Sequence, residues 1–274
     1  MKHLIVLFSL LPFAAAAAPK AELWDLWVPA NEASRTRVDH SPWDRFLERY
    51  LVTGDPSGVY LFSYSRVSGE NRALLEQYLE GLQAVRVEEL NRSEQMAFWL
   101  NLYNALTVKV VLDHWPVASI RDIRLGGGAP FSRGPWDAPL AEIQGRPVTL
   151  NDIEHRILRP IWKDPRIHYA VNCASIGCPN LQPVAFTAEN LPVLLERAAV
   201  MYVNDPRGAS VEDGTLWLSS IYDWFAGDFG DSTEALLRHV HRYADAPLRR
   251  SLEPFLDGRG RVRHRYDWSI NAAD

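Results

Sequence analysis

Apolar positions along this chain follow two rhythms. From Ser41 to about Leu51, Glu70 to Leu82, Ala188 to Tyr202 and Thr233 to Tyr243 they recur every three or four residues, which predicts helices. Ser41-Pro42 opens the first of these as cap and first helical residue. Gly58 to Ser63, Ile167 to Val171 and Arg261 to Tyr266 read as strands. Trp136 to Thr149 reads as a hairpin turning at Gln144-Gly145, and a second hairpin turns around Glu212-Asp213-Gly214.

Between Arg92 and about Asp113 the pattern changes, because MAFWLNLYNALTVKVVL is apolar on nearly every side. Asn91 as cap and Glu94 three residues on mark its start. A helix apolar all round belongs in a core. A membrane span is the competing reading, but Asn101, Asn104 and Lys109 interrupt the run. Helices and strands mix without a regular βαβ alternation, which predicts an α+β fold: one mixed domain, a long buried central helix and a small, largely antiparallel sheet.

Lys2 and His3 precede an apolar run, Leu4 to Phe13, and then Ala14 to Ala18. That is the pattern of a cleaved secretory signal peptide, too short to span a bilayer. The expectation is a signal peptide over 1–18, one domain over 19–274, and a periplasmic or secreted protein. Gly126 to Pro135 is a Gly- and Pro-rich loop long enough to be a lid. Net charge is −5 with the signs interspersed. No basic stripe calls for nucleic acid, and no polybasic segment calls for a membrane partner after signal cleavage.

Chemistry concentrates where the only two cysteines fall, in DPRIHYAVNCASIGCPNL. Cys173 lies at the end of the predicted strand and Cys178 five residues on. On a regular strand, His168 and Cys173 face opposite sides, so a partner imidazole must come from elsewhere. An exported chain with two close cysteines also suits a Cys173–Cys178 disulfide that closes a turn. The short helix LNDIEHRILRPIW, over about Asp152 to Ile161, offers His155 at the border of an apolar stripe and Glu154 inside it. A carboxylate there must be paired, and the cap is either Asn151 with Glu154 or Thr149 with Asp152. Asn101 and Asn104, three apart on the apolar helix, must be hydrogen-bonded, to loop backbone or to a substrate or imidazole. Asp223-Trp224-Phe225 and Asp228-Phe229 read as core, or as an aromatic pocket for sugar or peptide.

Taken together, FWLNLYNALT (98–107), LNDIEHRIL (150–158), DPRIHYAVNCASIGCPNL (164–181) and SSIYDWFAGDF (219–229) resemble the family labelled domain of unknown function 547. The resemblance spans about 92–229 and implies that Asn101, Tyr103, Asn104, Glu154, His155, His168 and Cys173 occupy its characteristic positions. Cys178 is the less constant of the two cysteines, which favours Cys173 as the functional atom. No reaction comes with the family.

Three functions stand as expectations. The first is a cysteine-dependent hydrolase or acyl transferase acting on peptide or cell-envelope amide bonds, with Cys173 as nucleophile, His155 as base and Glu154 orienting it. In it, Asn101, Tyr103, Asn104, His168 and Cys178 form the surrounding binding set. The second is a thiol redox or metal site, although the Cys and His spacing matches no standard zinc pattern. The third is a non-catalytic module binding peptide, cell-wall or small-molecule ligands, braced by a Cys173–Cys178 bridge. None calls for a cofactor.

Overall fold

The computed structural model describes residues 19–126 and 134–273. The expected signal peptide, and all of the glycine-rich loop except Gly126, Gly134 and Pro135, lie outside the described residues.

Helix α1 (Ser41–Tyr50) buries Trp43, Phe46, Leu47 and Tyr50, the i, i+3, i+4, i+7 face that its sequence dictates. A two-residue ribbon comes next, β1 (Leu51–Val52) antiparallel to β2 (Leu61–Phe62). Helix α2 (Gly69–Gln83) starts at Ser68, whose side chain accepts the Asn71 N–H, and buries Leu75, Tyr78, Leu79 and Leu82. The central helix α3 spans Arg92–Asp113, and every side chain from Glu94 to Val108 is buried. Its start is half a capping box. Asn91 Oδ1 accepts the Glu94 N–H at 3.0 Å, but Glu94 Oε1 turns away to accept the Val38 N–H at 2.7 Å.

The hairpin β3 (Ala141–Ile143) and β4 (Arg146–Val148) turns at Gln144 and Gly145, with φ of 51° and 73°. Two consecutive positive φ angles match the twist of a two-residue hairpin, and glycine tolerates the second at little cost. Thr149 and Asp152 then cap each other, the Thr149 hydroxyl accepting the Asp152 N–H at 2.9 Å and the carboxylate accepting the Thr149 N–H at 3.1 Å.

From this cap a π-helix, Asp152–Leu158, runs into the short helix α4 (Arg159–Trp162). The Arg159 N–H bonds Glu154 O, five residues back. Pro160 explains the wide turn. An α-helix passing through it would need a Pro160 N–H for Arg156 O and would press the ring against that carbonyl. Widening by one residue relieves the clash but leaves carbonyls unserved. An early segment of the chain serves them: Glu22 N–H bonds His155 O and Trp24 N–H bonds Arg156 O, both at 2.9 Å.

The predicted strand Ile167–Val171 is not formed. Ile167–Ala170 is one helical turn, α5, and the chain becomes extended only at Val171. Its four residues are all buried, so the run is apolar because it is enclosed, and a short enclosed run has no periodicity to distinguish strand from helix.

The remainder comprises α6 (Leu191–Val203), β5 (Ala209–Glu212), β6 (Thr215–Ser219), α7 (Ile221–Trp224), α8 (Thr233–Tyr243), α9 (Ala246–Leu256) and β7 (Arg261–Arg265). β6 pairs antiparallel with β5 and parallel with β7. Helix α9 is absent from the sequence expectation; its few apolar positions bury only Leu252 and Phe255. The core has two lobes, one around α3 and one around β5–β7 and α8. Helix α6 joins them, giving Leu191, Leu194 and Leu195 to the first and Ala198, Ala199, Tyr202 and Val203 to the second. The fold is α+β, one domain with small, largely antiparallel sheets. No helix among the described residues is long and apolar enough to cross a membrane.

Candidate functional site

Two polar clusters meet at α3. The first is the turn from Asn172 to Pro179. Asn104, on α3, holds its start: the side-chain oxygen accepts the Asn172 N–H at 2.8 Å and the amide donates to Ala170 O at 2.9 Å. Asn172 then closes the turn on itself, accepting the Ala174 N–H and donating to Pro179 O. Ala174 sits at φ 59°, a left-handed conformation that a residue other than glycine enters only under such constraint. The C-terminal tail clamps the far side, through Gly177 N–H to Asp267 O and Ile176 N–H to Ser269 O, both at 2.8 Å. A Cβ on Gly177 would stand 2.7 Å from Asp267 N, so this approach requires glycine.

The clamp brings both sulfurs together. Cys173 and Cys178 are free thiols with Sγ atoms 3.1 Å apart. Cys173 is partly exposed and Cys178 is buried. Around Cys173 Sγ stand three hydrogen-bonding groups, Cys178 Sγ, Ser175 Oγ and Tyr266 Oη, each at 3.1 Å. Led by the Cys178 contact, they hold the Cys173 thiol below its ordinary pKa against burial and the nearby Glu154 charge. Burial pushes the Cys178 thiol well above its own. The bridge expected for a structural disulfide is not formed.

The second cluster lies on the π-helix. Glu154, 7% exposed, accepts from Tyr103 Oη at 3.1 Å and lies 3.6 Å from His168 Nδ1. His168 Nε2 is 2.6 Å from Asp228 Oδ2, which also takes Arg159 Nε at 2.5 Å. Arg159 Nη1 donates to His155 Nδ1 at 3.0 Å and to the Pro19 carbonyl at 2.9 Å. Phe225 stacks on His168, with centroids 4.3 Å apart, and receives the Arg159 guanidinium 4.8 Å from its ring centre.

This wiring shifts the two histidines in opposite directions. Arginine stays charged and only donates, so His155 Nδ1 is the acceptor and its proton sits on Nε2. Burial, the largest influence, lowers the His155 pKa and keeps it neutral. His168 faces two carboxylates; their hydrogen bonds and charge overcome burial and raise its pKa. Burial would raise Glu154, but His155, His168 and Arg159 hold it at about 2. Asp228 is pulled below the carboxylate range by the His168 and Arg159 hydrogen bonds, against burial. Tyr103 joins the clusters: after burial, the charges of Glu154, Cys173 and Cys178 are what raise its pKa.

The expected residues therefore divide. Glu154, His155, His168 and Tyr103 share one network, and Cys173 and Cys178 another. No hydrogen bond among the described residues joins Cys173 to His155 or His168, so the expected nucleophile, base and orienting carboxylate do not form one chain. Asn101 and Asn104 bind loop backbone: Asn101 brackets the Phe186 N–H and C=O at 2.9 and 2.8 Å.

Residues 87–203 match the model of the family described as Protein of unknown function, DUF547. Over these residues the chain is similar to that family. No curated protein and no solved structure matches it.

The DUF547 segment carries Tyr103, Glu154, His155, Arg159, His168 and both cysteines, but not the groups that complete either cluster. Asp228 and Phe225 come from after α7, and Tyr266 from the tail. Tyr266 gives no sequence signal, standing two residues before a tryptophan in a polar tail. Arg159 has one, since it lies four residues from His155 and therefore on the same helical face. Trp224 and Phe225 are partly exposed, unlike Phe229, which is core. Among the described residues no group of three or more His, Cys, Asp or Glu is arranged to hold a metal ion.

Proposed function

We propose that this protein is an exported thiol–disulfide oxidoreductase in which Cys173 attacks and Cys178 resolves. The observation that carries the reading is the asymmetric pair: sulfurs 3.1 Å apart, one partly exposed with its pKa lowered, the other buried with its pKa raised. A lowered pKa supplies thiolate for attack, and a near second thiol supplies resolution.

The steps balance without a further reactant. Cys173 thiolate attacks one sulfur of a substrate disulfide; that S–S bond breaks and the first substrate thiolate leaves, taking a proton from solvent. Cys178 then gives up its proton and attacks Cys173 Sγ. The mixed disulfide breaks, the second substrate thiol departs, and two electrons have passed to the substrate as Cys173–Cys178 becomes oxidised. Export, the expectation drawn from residues 1–18, suits this chemistry because disulfides persist outside the cytosol.

Acyl transfer at Cys173 on peptide or envelope amides fits less well. A base must have a free lone pair, and His155 has engaged its own with Arg159 while both ring nitrogens of His168 face carboxylates. The experiment is single-turnover reduction of a peptide disulfide by the reduced protein. Loss of all rapid exchange in Cys173→Ser, with Cys178→Ser arrested after one attack, is expected. Undiminished exchange in Cys173→Ser, or a peptide acyl group captured on Cys173 and turned over, would overturn the reading.

A further inference from the structure

Next to the thiol pair is an aromatic surface that takes no part in the exchange steps. Tyr266 and Trp268 stand two apart on the tail clamped to the cysteine turn, with ring centroids 4.7 Å apart. Trp224, at the end of α7, approaches both, with ring centroids 4.8 Å from Tyr266 and 5.5 Å from Trp268. Trp136 meets Trp268 edge-on at 5.8 Å. All four rings are partly exposed, and Tyr266 Oη is the group 3.1 Å from Cys173 Sγ. A ligand seated on these rings therefore lies against the attacking sulfur.

The ring of Trp268 is partly covered. Trp224 stacks on it with 27° between planes, and the Arg121 guanidinium sits 4.9 Å from its ring centre. A sugar needs a broad open ring face, whereas a covered ring offers its edge. Ring edges carry the positive part of the aromatic quadrupole and attract the face of another aromatic ring or a carbonyl oxygen. Both features belong to a peptide.

We propose that Trp268, Trp224 and Tyr266 form a substrate subsite for a polypeptide bearing an aromatic side chain beside its disulfide. This rests on the thiol-exchange reading and adds the substrate class to it. In the bound state the aromatic side chain meets the exposed part of these rings while its neighbouring cysteine sulfur reaches Cys173.

Two tripeptides, Ac-Phe-Cys-Gly and Ac-Gly-Cys-Gly, each linked through cysteine to chromogenic thionitrobenzoate, test the subsite in single turnover by the reduced full-length protein, KM and kcat being the half-saturating peptide concentration and the limiting rate of that one turnover. The phenylalanine substrate is expected to have the lower KM by about tenfold, the scale of one good aromatic contact. Trp268→Ala and Trp224→Ala should each erode that preference through KM while leaving kcat, and Trp268→Phe should keep it. Equal KM for the two substrates in the unsubstituted protein, or a preference that survives both alanine variants, would overturn the subsite. Should the protein not exchange thiols at all, the oxidoreductase reading fails separately. Tryptophan fluorescence of Cys173→Ser titrated with the S-methylated peptides then decides the subsite alone: tighter binding of the phenylalanine peptide supports it. Equal binding, or quenching by an oligosaccharide but by neither peptide, overturns it.

Discussion

At the scale of single residues, the two clusters respond differently to pH. Glu154 has a folded pKa of about 2 against an ordinary 4.5. A depressed carboxyl contributes stability above its unfolded value and loses it as pH falls through the folded one. That contribution, on the order of 3 kcal/mol, should disappear between about pH 5 and pH 2. Glu154→Gln should be less stable at neutral pH and show a flatter acid limb in denaturant titrations; an unchanged limb would contradict the assignment. His168 works with the opposite sign. Its pKa is raised from 6.5, so its contribution is complete below that value and declines as pH climbs beyond it. Substituting His168 by Asn should flatten the alkaline side of the same curve. The thiols give a third expectation: iodoacetamide should modify Cys173 with a midpoint below the ordinary thiol value of about 8.5, and Cys178 far more slowly. Mass mapping of the alkylated peptides at several pH values reads both. Glu154 is legible in sequence because a carboxylate inside an apolar stripe demands a partner. That partner's identity is not, since Tyr103 and His168 reach it only through the tertiary fold.

At the scale of elements, Pro160 governs the geometry of the charged cluster. By forcing the wide turn it leaves His155 O and Arg156 O to the segment around Glu22 and Trp24, and Trp24 further meets the Arg156 guanidinium 4.5 Å from its ring centre. Pro160→Ala restores an N–H and lets an ordinary α-turn compete. Amide hydrogen exchange at Glu22 and Trp24 should then quicken about fivefold to tenfold, the worth of about one net hydrogen bond. Unchanged exchange would mean that the segment is held by its side chains alone. Capped, periodic helices are readable: α3 begins at Arg92 and α8 spans Thr233–Tyr243, as their sequences predict. The run Ile167–Ala170 reads as strand yet folds as a helical turn, because four enclosed residues carry no period. Strand alternation therefore does not orient His168 against Cys173.

At the scale of the whole molecule, the family segment does not contain its own completion. Trp27 meets Trp99 edge-on, Phe62 and Tyr64 pack in the same lobe as α3, and Asp228 and Tyr266 finish the polar clusters. A fragment limited to 87–203 should therefore fail to show a cooperative thermal transition, whereas 19–274 should show one; cooperative melting of the fragment would contradict this. The α+β class is legible because it rests on local periodicity and capping, and the central buried helix because its run is apolar all round behind a capped start. The thiol surroundings are not, because they depend on Tyr266, about ninety residues downstream, whose strand-like surroundings do not say what its hydroxyl meets. The division of labour between the sulfurs is tested most directly by single-turnover release of thionitrobenzoate from 5,5′-dithiobis(2-nitrobenzoate). Reduced protein should release two equivalents and finish with an internal Cys173–Cys178 bridge. Cys178→Ser should release one and remain capped at Cys173. Release of one equivalent per exposed thiol in the unsubstituted protein, with both sulfurs capped and no bridge formed, would contradict the account.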